Sequence, residues 1–403
     1  MNHDIKRKES RCFCFYQTSY KIIMKNSILS SFLLSVTKIR DVEKKIDDLE
    51  KIILENQKQI AELKQKAIVY EKIINNLEEQ RLPAKADMEQ VEAIVRKNQD
   101  ITNKYISNTK SELYKEIQYE FIRGLSPDKY REALCEWYYA ATQERLDLDN
   151  PKTFNQKIQW LKLYDSTPLK TKLADKYEVR SWVKETIGED YLIPLLGVWD
   201  RFEDIDFNTL PNQFVLKANH GCGWNIIVQD KQKFDVEDAR KKFRIWMGKN
   251  YAYQGFELHY KDIVPKIIAE QYIEGFEGQL NDYKFICTNG NIQYIWVDTD
   301  RYGDHQRTIF NTDWEKQDFR IRIGNTAINN IPKPDNFDKM KELATVLCKG
   351  FAIVRVDFYN VQGKIYFGEM TFTPGNGKMK IDPPEYDAIL GDMINLPNSK
   401  MID

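Results

Sequence analysis

The stretch Val354–Thr371 reads VRVDFYNVQGKIYFGEMT and decides the fold class of this chain. Two runs rich in β-branched and aromatic residues flank a turn at Gly363, a pattern that predicts a β-hairpin. Side chains alternate between the two faces of a strand. The alternation predicts two sets that each share a face: Arg355, Asp357 and Tyr359 in the first strand, and Phe367, Glu369 and Thr371 in the second.

The carboxylates of Asp357 and Glu369 are expected to converge across this hairpin. Hard oxygen ligands a few ångströms apart can hold Mg²⁺ between nucleotide phosphates, where the ion offsets the charge that develops during phosphoryl transfer. The alternative is a cross-strand ladder with solvated acids. Aromatic neighbours such as Phe358 indicate a partly buried setting, in which unpaired carboxylates would be costly, and this favours the metal site.

Two motifs earlier in the chain contain residues that could contact a nucleotide. A strand-like run ends at Lys217 and leads into ANHGCGWN at 218–225, a glycine-bearing loop whose amides can approach a phosphate while the ammonium supplies countercharge. Taken alone, this pattern is more often an ordinary turn. The second motif, IIAEQYIEG at 267–275, predicts a buried strand in which edge backbone groups and Glu270 could recognise an adenine.

The remaining patterns after residue 110 indicate a mixed α/β unit. Helical patterns cover about 128–142 and 169–187, with Ser126 and Pro127 resembling a helix start. Seven strand-like runs follow, at 213–217, 225–229, 266–270, 283–288, 292–297, 352–358 and 364–369.

Composition excludes several classes of function. The 403 residues contain 60 Lys plus Arg against 61 Asp plus Glu, a balance that gives no electrostatic reason to expect a nucleic-acid partner. The six cysteines, which include Cys12 and Cys14, lack the paired spacing of a zinc site, so we expect reduced thiols in a cytoplasmic protein. The sequence contains no credible Ser/His/Asp or Cys/His arrangement, so it does not predict a covalent enzyme intermediate.

The first part of the chain predicts an extended unit. Positions from Ile39 to Leu77 advance by steps of three and four, with β-branched residues mostly at a and Leu or Val mostly at d, which favours a parallel homodimeric coiled coil. Asn56 is the polar exception in this seam. The alternative is a lone amphipathic helix. Before it, apolar residues 28–36 are too few to span a bilayer, although 20–36 could contact the inner membrane surface.

Together these patterns divide the chain into four segments. Residues 1–38 are a basic and apolar segment, 39–82 the coiled coil, 83–126 a helical linker and 127–403 the catalytic domain.

Three motifs in the same order resemble the ATP-grasp superfamily: Lys217 with its glycine loop, the Glu270 segment, and Arg-Val-Asp followed by Gly-Glu-Met-Thr. The wording NHGCGWN at 219–225, DYKF at 282–285 and GEMTFTPG at 368–375 resembles the TupA-like family of teichuronopeptide and surface-polysaccharide clusters. The resemblance covers roughly 127–395. It implies an α+β fold in which two α/β subdomains grip ATP, here preceded by the coiled-coil helix.

The resemblance also implies roles for individual residues. ATP phosphates would contact Lys176, Lys217 and the loop residues His220, Gly221, Gly223 and Asn225. The adenine would meet Glu270, Tyr272 and Ile273, and the ribose either Glu277 or Asp282. Lys284 would lie near the phosphates and Arg355 would steady the charged intermediate. The Mg²⁺ ligands would be Asp357, Glu369 and Thr371, where the wider superfamily often has Asn in place of Thr371.

The implied reaction is an ATP-dependent carboxylate–amine ligation through an acyl phosphate, in cell-surface polysaccharide or teichuronopeptide synthesis. A sugar acid and an amine would be the substrates, and a polar cluster could contact the substrate acid: Asp300, Arg301, His305 and Arg307. A solvated loop explains that cluster equally well. A glycosyltransferase that uses Asp298 and Asp300 is one alternative, but two further Asp-x-Asp pairs show how easily chance supplies the motif. A non-catalytic coiled-coil scaffold is the other.

Overall fold

A computed structural model of the protein describes residues 114–273, 280–299, 306–321 and 331–398. The predicted basic segment, the coiled coil and the linker up to residue 113 lie outside these residues. The described end of the linker, 114–123, is helical. No helix in the described ranges is long and apolar enough to cross a membrane.

The two predicted helical patterns form three helices. Helix α1, Tyr130–Thr142, follows a short 3₁₀ turn that begins at Pro127. The pattern at 169–187 is interrupted, because Asp175 is extended and its side chain accepts the amides of Tyr177 and Glu178, which competes with the helical hydrogen bonds.

Four further helices were not predicted from the sequence. In chain order the helices after α1 are α2 (Phe154–Tyr164), α3 (Pro168–Ala174), α4 (Val179–Thr186), α5 (Val236–Met247), α6 (Phe337–Leu347) and α7 (Glu385–Asp392). The starts of α2 and α5 have side-chain caps, since Thr153 accepts the amide of Gln156 and Asp235 that of Asp238.

All seven predicted strand-like runs are strands, and the structure adds β1, β7, β8 and β11. The strands are β1 (Leu195–Trp199), β2 (Phe214–Ala218), β3 (Asn225–Val228), β4 (Ile267–Gln271), β5 (Asp282–Thr288), β6 (Asn291–Thr299), β7 (Gln306–Phe310), β8 (Arg320–Ile321), β9 (Ile353–Val361), β10 (Lys364–Thr371) and β11 (Ile381–Asp382).

The strands form two main antiparallel sheets. The smaller has the order β1-β4-β2-β3, and buried residues of its inner face, such as Phe214 and Leu216, pack with Phe243 of α5. The larger has the order β10-β9-β5-β6-β7. One of its faces, which includes Val356 and Phe358, packs with apolar residues of α6. On the other face, apolar residues at one end pack with α1 and α2, whereas the opposite end is polar.

The β9–β10 hairpin departs from strict alternation. Phe367 pairs with Phe358, but the register shifts at Gly368, so that Glu369 pairs with Asp357. This β-bulge places Phe367 in the apolar core and Glu369 on the polar face. The prediction that Phe367 and Glu369 share a face was therefore wrong, because one extra residue in the strand reverses the alternation.

Candidate active site

A cavity of about 460 Å³ lies between the two sheets. Residues from β2, β3 and β4 form one wall, and residues from β5, β9 and β10 form the other. The predicted site residues that line it are Lys176, Lys217, Gly223, Asn225, Glu270, Tyr272, Ile273, Asp282, Asp357 and Glu369.

Asp357 and Glu369 lie side by side and share one guanidinium. Nε and Nη2 of Arg355 donate to the two carboxylate oxygens of Asp357, each at 2.7 Å, and Nη2 also donates to Glu369 Oε1 at 2.7 Å. The hydroxyl of Thr371 lies 3.3 Å from the same Glu369 oxygen. Both acids therefore accept hydrogen bonds from the guanidinium of Arg355, and both also line the cavity.

Lys284 reaches the same carboxylate from β5. Its ammonium donates to Asp357 Oδ2 at 2.8 Å and to Asp282, and all three side chains are buried. Because the strand register sets Lys284 opposite Asp357, this contact is fixed by the sheet. Arg355 and Lys284 lie behind the carboxylates and do not line the cavity.

The two acids are ionised in this setting. Burial by itself would raise the pKa of Asp357, but the charges of Arg355 and Lys284 outweigh it and lower the pKa to about 2. Burial and Asp357 act in the same upward direction on Glu369, yet the pKa of Glu369 is lowered because Arg355, Lys176 and Lys284 are close. Burial opposes the charged form of Arg355, but its acidic neighbours raise its pKa.

On the opposite wall, Glu270 also has basic partners. Lys217 Nζ lies 2.5 Å from Glu270 Oε2, and Arg180 Nη1 lies 3.0 Å from Oε1. Arg180 also donates to the carbonyl of Ile193 at 2.7 Å. Sequence reasoning missed Arg180, because it belongs to helix α4 and its contact with Glu270 exists only after α4 docks on the small sheet.

The glycine loop after β2 lies at the mouth of the cavity. The ammonium of Lys176 donates to the carbonyl of Gly221. This hydrogen bond links two residues that were both predicted to contact ATP phosphates. A Cβ atom on Gly221 would lie 2.4 Å from the Trp224 ring, so only glycine fits there. Gly223 adopts φ +74°, a conformation that L side chains rarely adopt, and its surroundings are open. Cys222, which belongs to the same loop motif but was not predicted to be a site residue, also lines the cavity.

His220 lies beneath this loop instead of in the cavity lining. Its ring nitrogens lie 3.2 Å from Asn219 Oδ1 and 3.1 Å from the Trp246 carbonyl, and the side chain is buried. Burial lowers its pKa. These contacts give His220 a role in shaping the loop from below.

Some of the remaining predicted site residues lie in the described ranges, and others do not. Glu277, Asp300, Arg301 and His305 lie outside the described residues, so the choice between Glu277 and Asp282 for the ribose stays open. The side chain of Arg307 is 7% exposed, and its Nε and Nη2 donate to Asp298 at 2.6 and 2.7 Å.

Several solved structures are similar to part of this chain. Solved structures that match include D-alanine–D-alanine ligase from Bacillus anthracis complexed with ATP (16% identity, 50% of this chain and 54% of that chain, TM-score 0.30). The same ligase from Helicobacter pylori matches at 16% (55% and 61%, TM-score 0.30), and N5-carboxyaminoimidazole synthetase from Staphylococcus aureus complexed with ADP at 15% (56% and 53%, TM-score 0.30).

The matched region spans roughly half to three fifths of the length of each of these structures. No curated protein matches the chain. The TupA-like ATP-grasp family, in contrast, matches residues 156–395, which is more than half of the chain and includes both walls of the cavity. The chain therefore belongs to the TupA-like ATP-grasp family.

Proposed function

We propose that this protein is an ATP-dependent ligase that activates a carboxylate as an acyl phosphate and couples it to an amine, releasing ADP and phosphate. One observation carries the proposal. Asp357 and Glu369 line the same cavity as Lys176 and Lys217. Acids that can hold a cation therefore face ammonium groups that can hold phosphates, which is the charge arrangement that phosphoryl transfer requires.

The residues present fit a magnesium ion. Mg²⁺ is usually bound by one or two carboxylates, with phosphate oxygens and water completing its coordination. In the described ranges no group of three or more acidic, His or Cys side chains could hold a metal. Asp357 and Glu369, with the hydroxyl of Thr371 beside Glu369, suit a site at which phosphate oxygens of the nucleotide complete the coordination of the ion. When bound, the ion would neutralise charge on the transferring phosphoryl group.

The side chains would contribute to the reaction by position and charge. Lys176 and Lys217 bind the phosphates, with the amides of the loop around Gly223 closing over them. Tyr272 and Ile273 line the part of the cavity next to Glu270, where the adenine would lie. Arg355 and Lys284, behind the carboxylates, stabilise negative charge on the acyl phosphate and on the departing phosphate. The substrate carboxylate needs no covalent bond to the enzyme.

The proposal also covers the substrates and the pathway. The TupA-like membership supports a sugar acid and an amine as substrates, in cell-surface polysaccharide or teichuronopeptide synthesis at the inner face of the membrane. A glycosyltransferase has less support, because both oxygens of Asp298 accept hydrogen bonds from Arg307 and Asp298 does not line the cavity.

The test is product analysis with the full-length protein. In the presence of ATP, Mg²⁺, a panel of sugar acids and a panel of amines, we expect ADP and no AMP. Asp357→Asn should reduce ADP release by about 100-fold, since it removes a charged group that acts in the transition state. Lys217→Met should weaken ATP binding, whereas Lys266→Met, whose ammonium pairs with exposed Asp200, should not. Bound ATP that yields AMP would contradict the proposal.

A further inference from the structure

A buried ion pair lies on the far side of Lys284 from the cavity. Arg307 of β7 faces Asp298 of β6 in register, and its guanidinium binds both oxygens of that carboxylate. The side chains are only 7% and 3% exposed, and the guanidinium also lies 4.9 Å from the Trp296 ring. Neither Asp298 nor Arg307 lines the cavity.

Asp298 nevertheless reaches the site through Lys284. One oxygen of Asp298 lies 3.9 Å from Lys284 Nζ, while the same ammonium donates to Asp357 at 2.8 Å and to Asp282. Carboxylates from β5, β6 and β9 therefore surround one ammonium. Unlike charges attract strongly in such a buried setting, so Asp298 can compete with Asp357 for Lys284 unless its own charge is offset.

We propose that Arg307 is a positioning residue that acts through Asp298 on Lys284. By binding both oxygens of Asp298, Arg307 offsets the charge that would otherwise draw Lys284 away from Asp357. Lys284 then remains beside Asp357, behind the wall of the cavity. This inference rests on the proposed function only in that nucleotide phosphates bind beside Asp357.

Removing the Arg307 guanidinium changes the charge balance among the ion-paired side chains around Lys284. Among the described residues, ion pairs join the acids Asp282, Asp298, Asp357 and Glu369 to the bases Lys284, Arg307 and Arg355. Without Arg307, Asp298 keeps its charge, loses two hydrogen bonds and still lies 3.9 Å from the ammonium of Lys284. Asp357 then holds its donor less firmly, and the region that receives phosphates becomes more negative.

The first experiment measures the affinity for ADP with Mg²⁺ by calorimetry in full-length variants. Arg307→Met should raise the Kd about tenfold, as expected for a weakened charge-assisted contact. Adding Asp298→Asn should restore it, because the competing charge is gone. In a Lys284→Met background, Arg307→Met should have a much smaller effect. Arg320→Met, which removes a surface pair with Asp382, is the matched control and should leave Kd unchanged.

The second experiment observes Lys284 directly and needs no nucleotide. The Nζ signal in a protein with ¹⁵N-labelled lysine, assigned by its loss in Lys284→Met, should shift in Arg307→Met and return when Asp298→Asn is added. If Arg307→Met does not fold, Arg307→Gln carries the same expectation. An unchanged Nζ signal, or an equal loss of affinity in the Lys284→Met background, would overturn the proposal. Failure of the wild-type protein to bind nucleotide would instead count against the proposed function.

Discussion

At the scale of single residues, the candidate site is defined by charges that neutralise one another. Glu270 binds Lys217 and Arg180 on one wall, and Asp357 binds Arg355 and Lys284 on the other. A buried carboxylate is stable only with such partners, since an unpaired charge would be strongly penalised. On each wall of the cavity, basic side chains therefore balance the carboxylate charge.

The lowered pKa of Asp357 predicts a specific acid sensitivity. Its pKa of about 2 in the folded protein lies below the ordinary aspartate value of 3.8, so its contribution to stability is present above pH 3.8 and is lost as pH falls towards 2. Asp357→Asn should therefore show a smaller fall in the free energy of unfolding between pH 5 and 3, measured by urea denaturation. Asp149→Asn, at an exposed pair with Arg131, should keep the wild-type dependence. Equal slopes would contradict the assignment.

At the scale of elements, the bulge in β10 determines which side chains reach the cavity. Gly368 is the extra residue, and it lies against the backbone of β9. A Cβ atom at Gly368 would stand 3.1 Å from the carbonyl oxygen of Asp357 and 3.4 Å from its Cβ atom. The bulge and the position of Asp357 are therefore coupled, and the absence of a side chain at Gly368 permits both.

Gly368→Ala should separate the effect of this contact from a general loss of stability. We expect the added methyl group to displace Asp357 and to raise the Kd for ADP with Mg²⁺ several-fold. Gly363→Ala is the matched control, because the turn glycine has φ +81° and nothing within 4 Å. It should cost about 1 kcal/mol of stability from backbone strain and leave nucleotide affinity unchanged. Similar affinities for both variants would show that the bulge does not set the site.

At the scale of the whole molecule, the cavity requires two sheets that are distant in sequence. The smaller sheet brings Lys217 and Glu270 together, and the larger brings together Asp282, Asp357 and Glu369. Asp298 lies in the same sheet but is held by Arg307. Sheet pairing therefore places Asp282, Asp357 and Glu369 at the cavity, whereas Asp298 lies behind its wall.

The predicted parallel coiled coil gives a testable oligomeric state. Leu49→Glu with Leu63→Glu places charges at two d positions of the seam and should convert a dimer into a monomer of 47.7 kDa. Light scattering coupled to size-exclusion chromatography measures this mass. Lys58→Glu, at an outward f position, should leave the dimer intact. A monomeric wild-type protein would instead favour the lone amphipathic helix.

The amino-acid sequence alone determined the seven strand-like runs, the hairpin with its two acids and the resemblance to ATP-grasp proteins, because these depend on local alternation and on contiguous motifs. Tertiary structure alone decided that a bulge separates Phe367 from Glu369, that Arg180 joins Glu270, that His220 lies under the loop and that Arg307 binds Asp298. Each of these depends on a register shift or on a contact between distant segments. Local pattern carries no information about such pairings, since their energies arise only when the sheets and helices pack.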